Sequence, residues 1–311
     1  MRKSCFIALI AFFTLTLVFP AAQADKPSAG APPLSKETRL MVFSPHPDDE
    51  SLGAGGIIQR VLGLGGRVRV VFMTNGDGFP EGVETADNIS RPTAVDYREY
   101  GDERRKEALA ATAVLGVKEH DVTFLGFPDG GLCALLKEFR SGARVYTSPF
   151  TQASRPPVDE IILPKTAYDG RDLRAEIARV LVDFRPDLVM LPAREDQHSD
   201  HSSTYYFVRE ALKVVNGKEP ALKPAIFAYL VHFGQWPIGQ GAGSGSRLNP
   251  PLGFSSPKAH WVSFPLEPKE ANCKQKAILS YHTQMLVMGR FLMSFARGNE
   301  LFIAYPAGSE K

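Results

Sequence analysis

The chain has 311 residues, 44% of them hydrophobic and 23% charged, with a formal net charge of +2. Such proportions suit one large folded domain or two small ones and exclude a disordered, collagen-like or coiled-coil chain. The near-neutral balance and the lack of any Lys/Arg-rich run give no electrostatic footing for DNA, RNA or an anionic membrane, so no nucleic-acid partner is expected.

Arg2 and Lys3 open the chain, an uncharged apolar stretch runs from Phe6 to Pro20, and Ala22-Gln23-Ala24 places small residues where a signal peptidase cuts. Residues 1–24 read as an export signal, with an uncleaved membrane anchor as the alternative. The stretch is short for a span, and no stop-transfer flank follows it. Cleavage removes two positive charges and no negative one, so the formal charge falls from +2 to 0. It also implies a periplasmic or extracellular protein with no stable membrane span. Cys133 and Cys273 then remain, far apart and in no metal-binding spacing, which is not a disulfide framework.

Residues 25–37 are rich in Pro, Ser and Ala and read as a flexible leader into a single domain over 38–311. Arg39 to Ser44 is a short apolar run expected as a buried strand. Ile57, Ile58, Val61 and Leu62 recur at helical spacing. Arg67 to Thr74 alternates and is rich in β-branched residues, which predicts a strand. Tyr97 to Leu115 predicts a helix stopped by Gly116, and Asp121 to Phe127 a strand. Leu173 to Phe184 is helical, and Pro186-Asp187 breaks into a strand at Leu188–Leu191. Ser202 to Val215 follows as a helix. Ala225 to Phe233 and Trp261 to Phe264 are later strands, and Pro268 to Tyr281 is a late helix. This alternation predicts an α/β, Rossmann-like fold: a mostly parallel sheet with helices on both faces and its active site at the C-terminal ends of the strands. Two Gly-, Pro- and Ser-rich stretches, near 141–164 and 235–257, break the rhythm as loop insertions, either lids or disordered segments.

Polar chemistry follows the apolar strands. The first strand runs into Ser44-Pro45-His46-Pro47-Asp48-Asp49-Glu50. One imidazole and a row of carboxylates would repel and desolvate badly if left alone. A divalent cation resolves this by taking both nitrogen and oxygen ligands. The strand at 188–191 leads to a second string, Glu195-Asp196-Gln197-His198-Ser199-Asp200-His201. Together the strings offer a His/Asp/His ligand set with carboxylates and an imidazole to spare, which suits three protein ligands and an open position for water.

The pair PHPDDE and QHSDH resembles the PIG-L / LmbE-like family of zinc-dependent N-acetylglucosaminyl deacetylases. Weaker features agree: Thr74-Asn75-Gly76, Arg104-x-x-Glu107, Leu-Gly-Phe-Pro-Asp-Gly at 125–130, Arg185-Pro-Asp-Leu-Val189, and Lys276 to Gln284, where a C-terminal helix ends in H-x-Q. The likeness covers roughly residues 38–285. It implies that His46, Asp49 and His201 hold the metal, zinc by family and iron(II) or another divalent ion by chemistry. It implies Asp48 as the base for metal-bound water, and His198 as oxyanion stabiliser or acid for the departing amine, with Asp200 orienting it. Ser199 departs from the family's common proline, and Thr283 stands where serine is common.

The implied activity is hydrolysis of the N-acetyl group of an amino sugar or glycan. Cleavage of a larger amide, such as an acyl-amino acid or thiol conjugate, is a second reading. A metal-containing carbohydrate binder without turnover is a third, disfavoured because a binder needs no base at Asp48. Arg104, Asp129 and His282 are candidate substrate contacts. Each has a plain alternative: a carboxylate pair on its own helix, a turn, and a packed histidine. His120, His232 and His260 are expected to be structural or surface residues. Met285, Met288, Phe291, Leu292 and Phe295 form a helical apolar stripe, expected in the core or else as a lipid- or partner-binding face.

Overall fold

Five apolar runs between turn-forming residues fold as parallel strands: β1 (Arg39–Ser44), β2 (Arg67–Thr74), β3 (Val122–Phe127), β4 (Leu188–Pro192) and β5 (Ala225–Tyr229). The structure is a computed structural model that describes residues 30–218, 222–240, 246–256 and 259–305. The expected export signal at 1–24 lies outside the described residues. Two further strands, β6 (His260–Pro265) and β7 (Asn299–Ala304), complete one sheet of order β3-β2-β1-β4-β5-β7-β6. β7 enters antiparallel between β5 and β6. The sheet is therefore mostly parallel, as the alternation implies.

Helices cover both faces. The chain moves one way along the sheet through β1, β2 and β3, then returns past β1 to β4 and β5. Right-handed crossovers put the helices of the two halves on opposite sides. α1 (Asp49–Gly63) and α3 (Ala94–Val114) pack with α7 (Pro268–Leu279). On the other side α5 (Gly170–Phe184) and α4 (Leu132–Lys137) pack with α6 (Ser199–Lys218). Two more helices, α2 (Pro80–Asp87) and α8 (His282–Met293), meet each other beside the C-terminal ends of the strands. Among the described residues, no helix is long and apolar enough to cross a membrane.

Several expected boundaries move, each for a physical reason. The strand expected over Ala225–Phe233 stops at Tyr229. The next N–H groups of Val231 and His232 turn to the Asp196 carboxylate instead of a neighbouring strand. The late helix ends at Leu279, and α8 starts separately at His282. The stretch near 141–164 is irregular but folded on. Its Phe150 packs against Tyr97, and Arg98 Nη1 donates to Thr151 O at 2.5 Å. Of the expected leader, residues 30–37 lie on the fold, with Ala31 and Leu34 packed against the core. Cys133 and Cys273 are both free thiols.

α1 sits unusually close to the sheet. A Cβ on Gly53 would fall 2.3 Å from the Tyr229 ring, so glycine is required where the helix crosses β5. Beneath this contact the fully buried Lys274 and Glu300 pair at 2.7 Å. Glu300 also accepts the N–H groups of Gly56 and Ile57 at 2.7 and 3.0 Å, which fixes α1 to β7.

Candidate active site

The strand order reverses between β1 and β4, the place where a doubly wound sheet opens a crevice beyond its carboxyl ends. The two acid-and-imidazole strings leave these two adjacent strands. The loops after β2, β3 and β5 frame them, and one cavity collects His46, Asp48, Asp49, Arg104, Asp129 and His198.

Three donor atoms converge. Asp49 Oδ2 lies 3.2 Å from His46 Nδ1 and 3.1 Å from His201 Nε2, and the two nitrogens are 3.3 Å apart. A tetrahedral ion with ligands at about 2.0–2.1 Å has ligand–ligand edges of roughly 3.3–3.4 Å. The triangle is that of one face of such a site, and these three residues fit a divalent cation. Other groupings of the same cluster, His46 with His198 and His201, Asp49 with His201 and His232, or His46 with Asp129 and Asp200, are also within reach of one ion. The first triangle is preferred because it contains one carboxylate, leaves each imidazole with a carboxylate behind it, and has all three edges within 3.3 Å.

Those outer partners are definite. His46 Nε2 lies 3.1 Å from Asp129 Oδ1 and 3.5 Å from Asp200 Oδ2. His201 Nδ1 lies 3.3 Å from Asp196 Oδ2. Neither nitrogen makes an aligned hydrogen bond although both are buried. Each faces groups that can only accept, so each carries a proton, and the opposite nitrogen, which faces Asp49, is the one whose proton a metal would replace. Without an ion, burial works against a charged His46, but Asp129, Asp200 and Asp49 outweigh it and hold its pKa well above the usual value. Burial likewise opposes, and Asp196 and Asp49 overcome it, to bring His201 up to about 10. Burial would raise the Asp49 carboxyl, but His201 and His46 hold it well below the usual range.

Asp48 stands apart from its neighbour. Its backbone has φ 129°, a conformation that costs a residue with a Cβ about 1–3 kcal/mol. The kink turns its carboxylate to the cavity wall, where Arg104 Nη2 approaches Oδ2 at 3.3 Å. Arg104 also donates to Pro47 O at 2.7 Å and Gly76 O at 2.9 Å. It is thus paired across the site, not on its own helix. Burial, reinforced by Asp49, pushes Asp48 up to about 8 against the pull of Arg104. Glu50 points elsewhere, accepting from Ser51 and Tyr281 in the core.

His198 covers the other side. Its Nδ1 accepts the Asp200 N–H at 3.2 Å, so its proton resides on Nε2. Burial, then His46 and His201, lower it to about 4, so the ring is neutral. Asp200 acts here through two different groups. It orients His198 through its main chain, while its carboxylate accepts Gly130 N–H at 2.7 Å and Leu132 N–H at 3.1 Å and backs His46. Those two N–H groups at the start of α4 have no helical acceptor and take the nearest carboxylate. Asp129 accepts Gly78 N–H at 2.8 Å and also faces His46, so it serves both the turn and the cluster.

The opposite wall is apolar: Leu52, Phe79, Val231, Met288, Phe291 and Leu292. Part of the apolar stripe thus lines the cavity, while Phe295 is core. His282 is exposed at the head of α8 and does not line the cavity; Gln284, two residues on, does, with its Nε2 donating to Tyr100 Oη at 2.7 Å. Position explains the exchange, because Thr283 is pinned to Glu107 through N–H and Oγ1 at 2.8 and 2.6 Å and turns His282 outward. His232 is the residue missed. It stacks on Phe291 at 5.4 Å and meets His201 edge-on at 4.8 Å. The signal was available, since it follows β5 as the other site loops follow their strands.

A family model described as PIG-L, GlcNAc-PI de-N-acetylase, matches residues 41–212, more than half of the chain and both strings. The chain belongs to the PIG-L family. Among curated relatives, a 1D-myo-inositol 2-acetamido-2-deoxy-alpha-D-glucopyranoside deacetylase of Kineococcus radiotolerans is 29% identical over 187 residues, 59% of this chain and 47% of that protein. The chain spans about half the length of the curated relatives it matches. Among solved structures, N,N'-diacetylchitobiose deacetylase from Pyrococcus horikoshii superposes with a TM-score of 0.52 at 20% identity, covering 86% of this chain and 84% of that one. GalB, the 4-carboxy-2-hydroxymuconate hydratase of Pseudomonas putida KT2440, superposes at 0.54 with 16% identity, covering 88% and 99%. A deacetylase and a hydratase on one PIG-L-like framework establish the fold and leave the reaction to the site.

Proposed function

We propose that this PIG-L family member is a divalent-metal-dependent hydrolase that removes the N-acetyl group from an amino sugar or glycoconjugate. The observation that carries the reading is the His46, Asp49 and His201 triangle with Asp48 and His198 on the rim of the same cavity. Bound there, a divalent ion would supply a Lewis acid for the amide carbonyl and acidify water. Asp48, held by Arg104, accepts a proton from the water that attacks the amide carbon. His198, neutral with its proton on Nε2, donates a hydrogen bond to the developing oxyanion, and the proton that Asp48 takes from the water passes on to the departing amine nitrogen. The His/Asp/His set suits zinc, which the family favours, and iron(II) as well.

The test is acetate release from N-acetylglucosamine conjugates by purified protein. Activity should vanish on chelation and return with zinc. A folded, metal-loaded protein without amidase activity on any amino sugar overturns the reading. The apolar wall of Met288, Phe291 and Leu292 favours a second reading, a larger acyl group, which matched acetyl and long-acyl substrates would separate.

Export is part of the proposal and is supported by the signal-like residues 1–24. It directs the enzyme to a glycan outside the cytoplasm. N-terminal sequencing of protein recovered outside the cells should begin near Asp25; retention inside with Met1 intact would sink it.

A further inference from the structure

Asp196 is a buried carboxylate on the loop after β4, three residues ahead of α6. Its Oδ1 accepts the His198 N–H at 2.9 Å. Its Oδ2 accepts the N–H groups of Val231 at 2.9 Å and His232 at 3.0 Å. The same Oδ2 lies 3.3 Å from Nδ1 of His201, a fully buried ring whose other nitrogen points at Asp49 and His46. A carboxylate offers lone pairs and no proton, so the nitrogen facing it must be the N–H. With Nδ1 held as the N–H, an ion in the triangle would displace the second proton from Nε2, the nitrogen that faces Asp49, and take its lone pair.

We propose that Asp196 is a positioning residue that selects the metal-binding tautomer of His201 and ties it to the rest of the site. The inference rests on the metal-dependent reading above. One side chain fixes three things that must agree: the ligand nitrogen of His201, the backbone of His198, and the Val231-His232 end of the cavity wall. A turn-forming aspartate would need only the His198 contact. Asparagine has the same shape but one acceptor atom, so it must meet one of these N–H groups with an N–H of its own, and it withdraws the charge that makes His201 a strong ligand.

Zinc affinity is read by chelator competition on folded wild-type protein and Asp196→Asn, with circular dichroism as the check on folding. The variant should bind zinc about 10- to 100-fold more weakly. A folded variant whose affinity stays within about threefold of wild type overturns the inference, since a merely structural role lowers thermal stability without changing the ion's affinity for folded protein. If the variant does not fold, ¹⁵N NMR of zinc-loaded wild type decides: His201 should carry its proton on Nδ1 and bind through Nε2, and the reverse overturns the proposal. Wild-type protein that takes up no divalent ion overturns the metal reading beneath it and this inference with it. Loss confined to the variant supports the inference alone.

Discussion

The two sides of the cavity are built by different rules. The three residues of the triangle, Asp48 and His198 come from two contiguous strings on adjacent strands, where the sheet reverses, with Arg104 of α3 and Asp129 after β3 set against them. The apolar side is gathered from α1, the segment after β2, the end of β5, and α8, which lie more than two hundred residues apart in sequence. Reacting groups need fixed mutual geometry, and short loops on neighbouring strands supply it. A wall needs only shape and apolar surface, which any nearby element can offer. The polar side should therefore govern turnover and the apolar side the choice of substrate.

The largest effect that separates them is at Asp48. Replacing it with asparagine should lower kcat by about 10²- to 10⁴-fold with the metal still bound, because only proton acceptance is lost. Near-wild-type turnover with a full metal complement would remove Asp48 as the base. A smaller effect follows at Gly76, where φ is +67° and an added Cβ would lie 1.9 Å from Arg104 Nη1. Alanine there should cost about 1–2 kcal/mol of stability, measured by denaturant titration. It should also cut activity by roughly tenfold by displacing Arg104 from Asp48. Unchanged activity in Gly76→Ala would show that Arg104 does not need its present place.

On the other wall, Phe291→Ala should raise KM about five- to tenfold for substrates with an apolar substituent, the scale of partial loss of a phenyl contact. The kcat on a small acetylated sugar should stay within about twofold. Equal losses on both substrates would dissolve the division between the walls. The smallest effect is expected at Ser199, the first residue of α6. Proline is preorganised at that position, so Ser199→Pro should add about 0.4–1 kcal/mol of stability, read as a rise in Tm without a change in kcat.

The same division explains what was legible in the sequence. His46, Asp49, His198 and His201 stand out because each string follows an apolar run and concentrates like charges that demand a partner. β1 and β4 stand out because they are buried on both faces and read as continuous apolar runs, and β2 because it alternates and is rich in β-branched residues. His232 has only its place after β5 to mark it, a single imidazole with no acidic neighbour in sequence; Asp196, which accepts its N–H, arrives only through the fold. α4 is too short to show a helical period. β7 was masked by Glu300, a charge inside a strand that is tolerable only because Lys274 meets it. Asp200 was recognised as a site residue, but its carboxylate is spent on main-chain N–H groups that no motif displays.

The last described strand has a bearing on when the triangle can form. Glu300 on β7 holds the N–H groups of Gly56 and Ile57, and so holds the helix whose first residue is Asp49. Every ligand of the triangle has been synthesised by residue 201, yet the helix that presents one of them is clamped by a residue ninety-nine positions later. A chain cut before β7 would carry the three residues of the triangle but lack the carboxylate that holds α1. On the proposed metal-dependent reading, uptake of the ion would then report that β7 is in place.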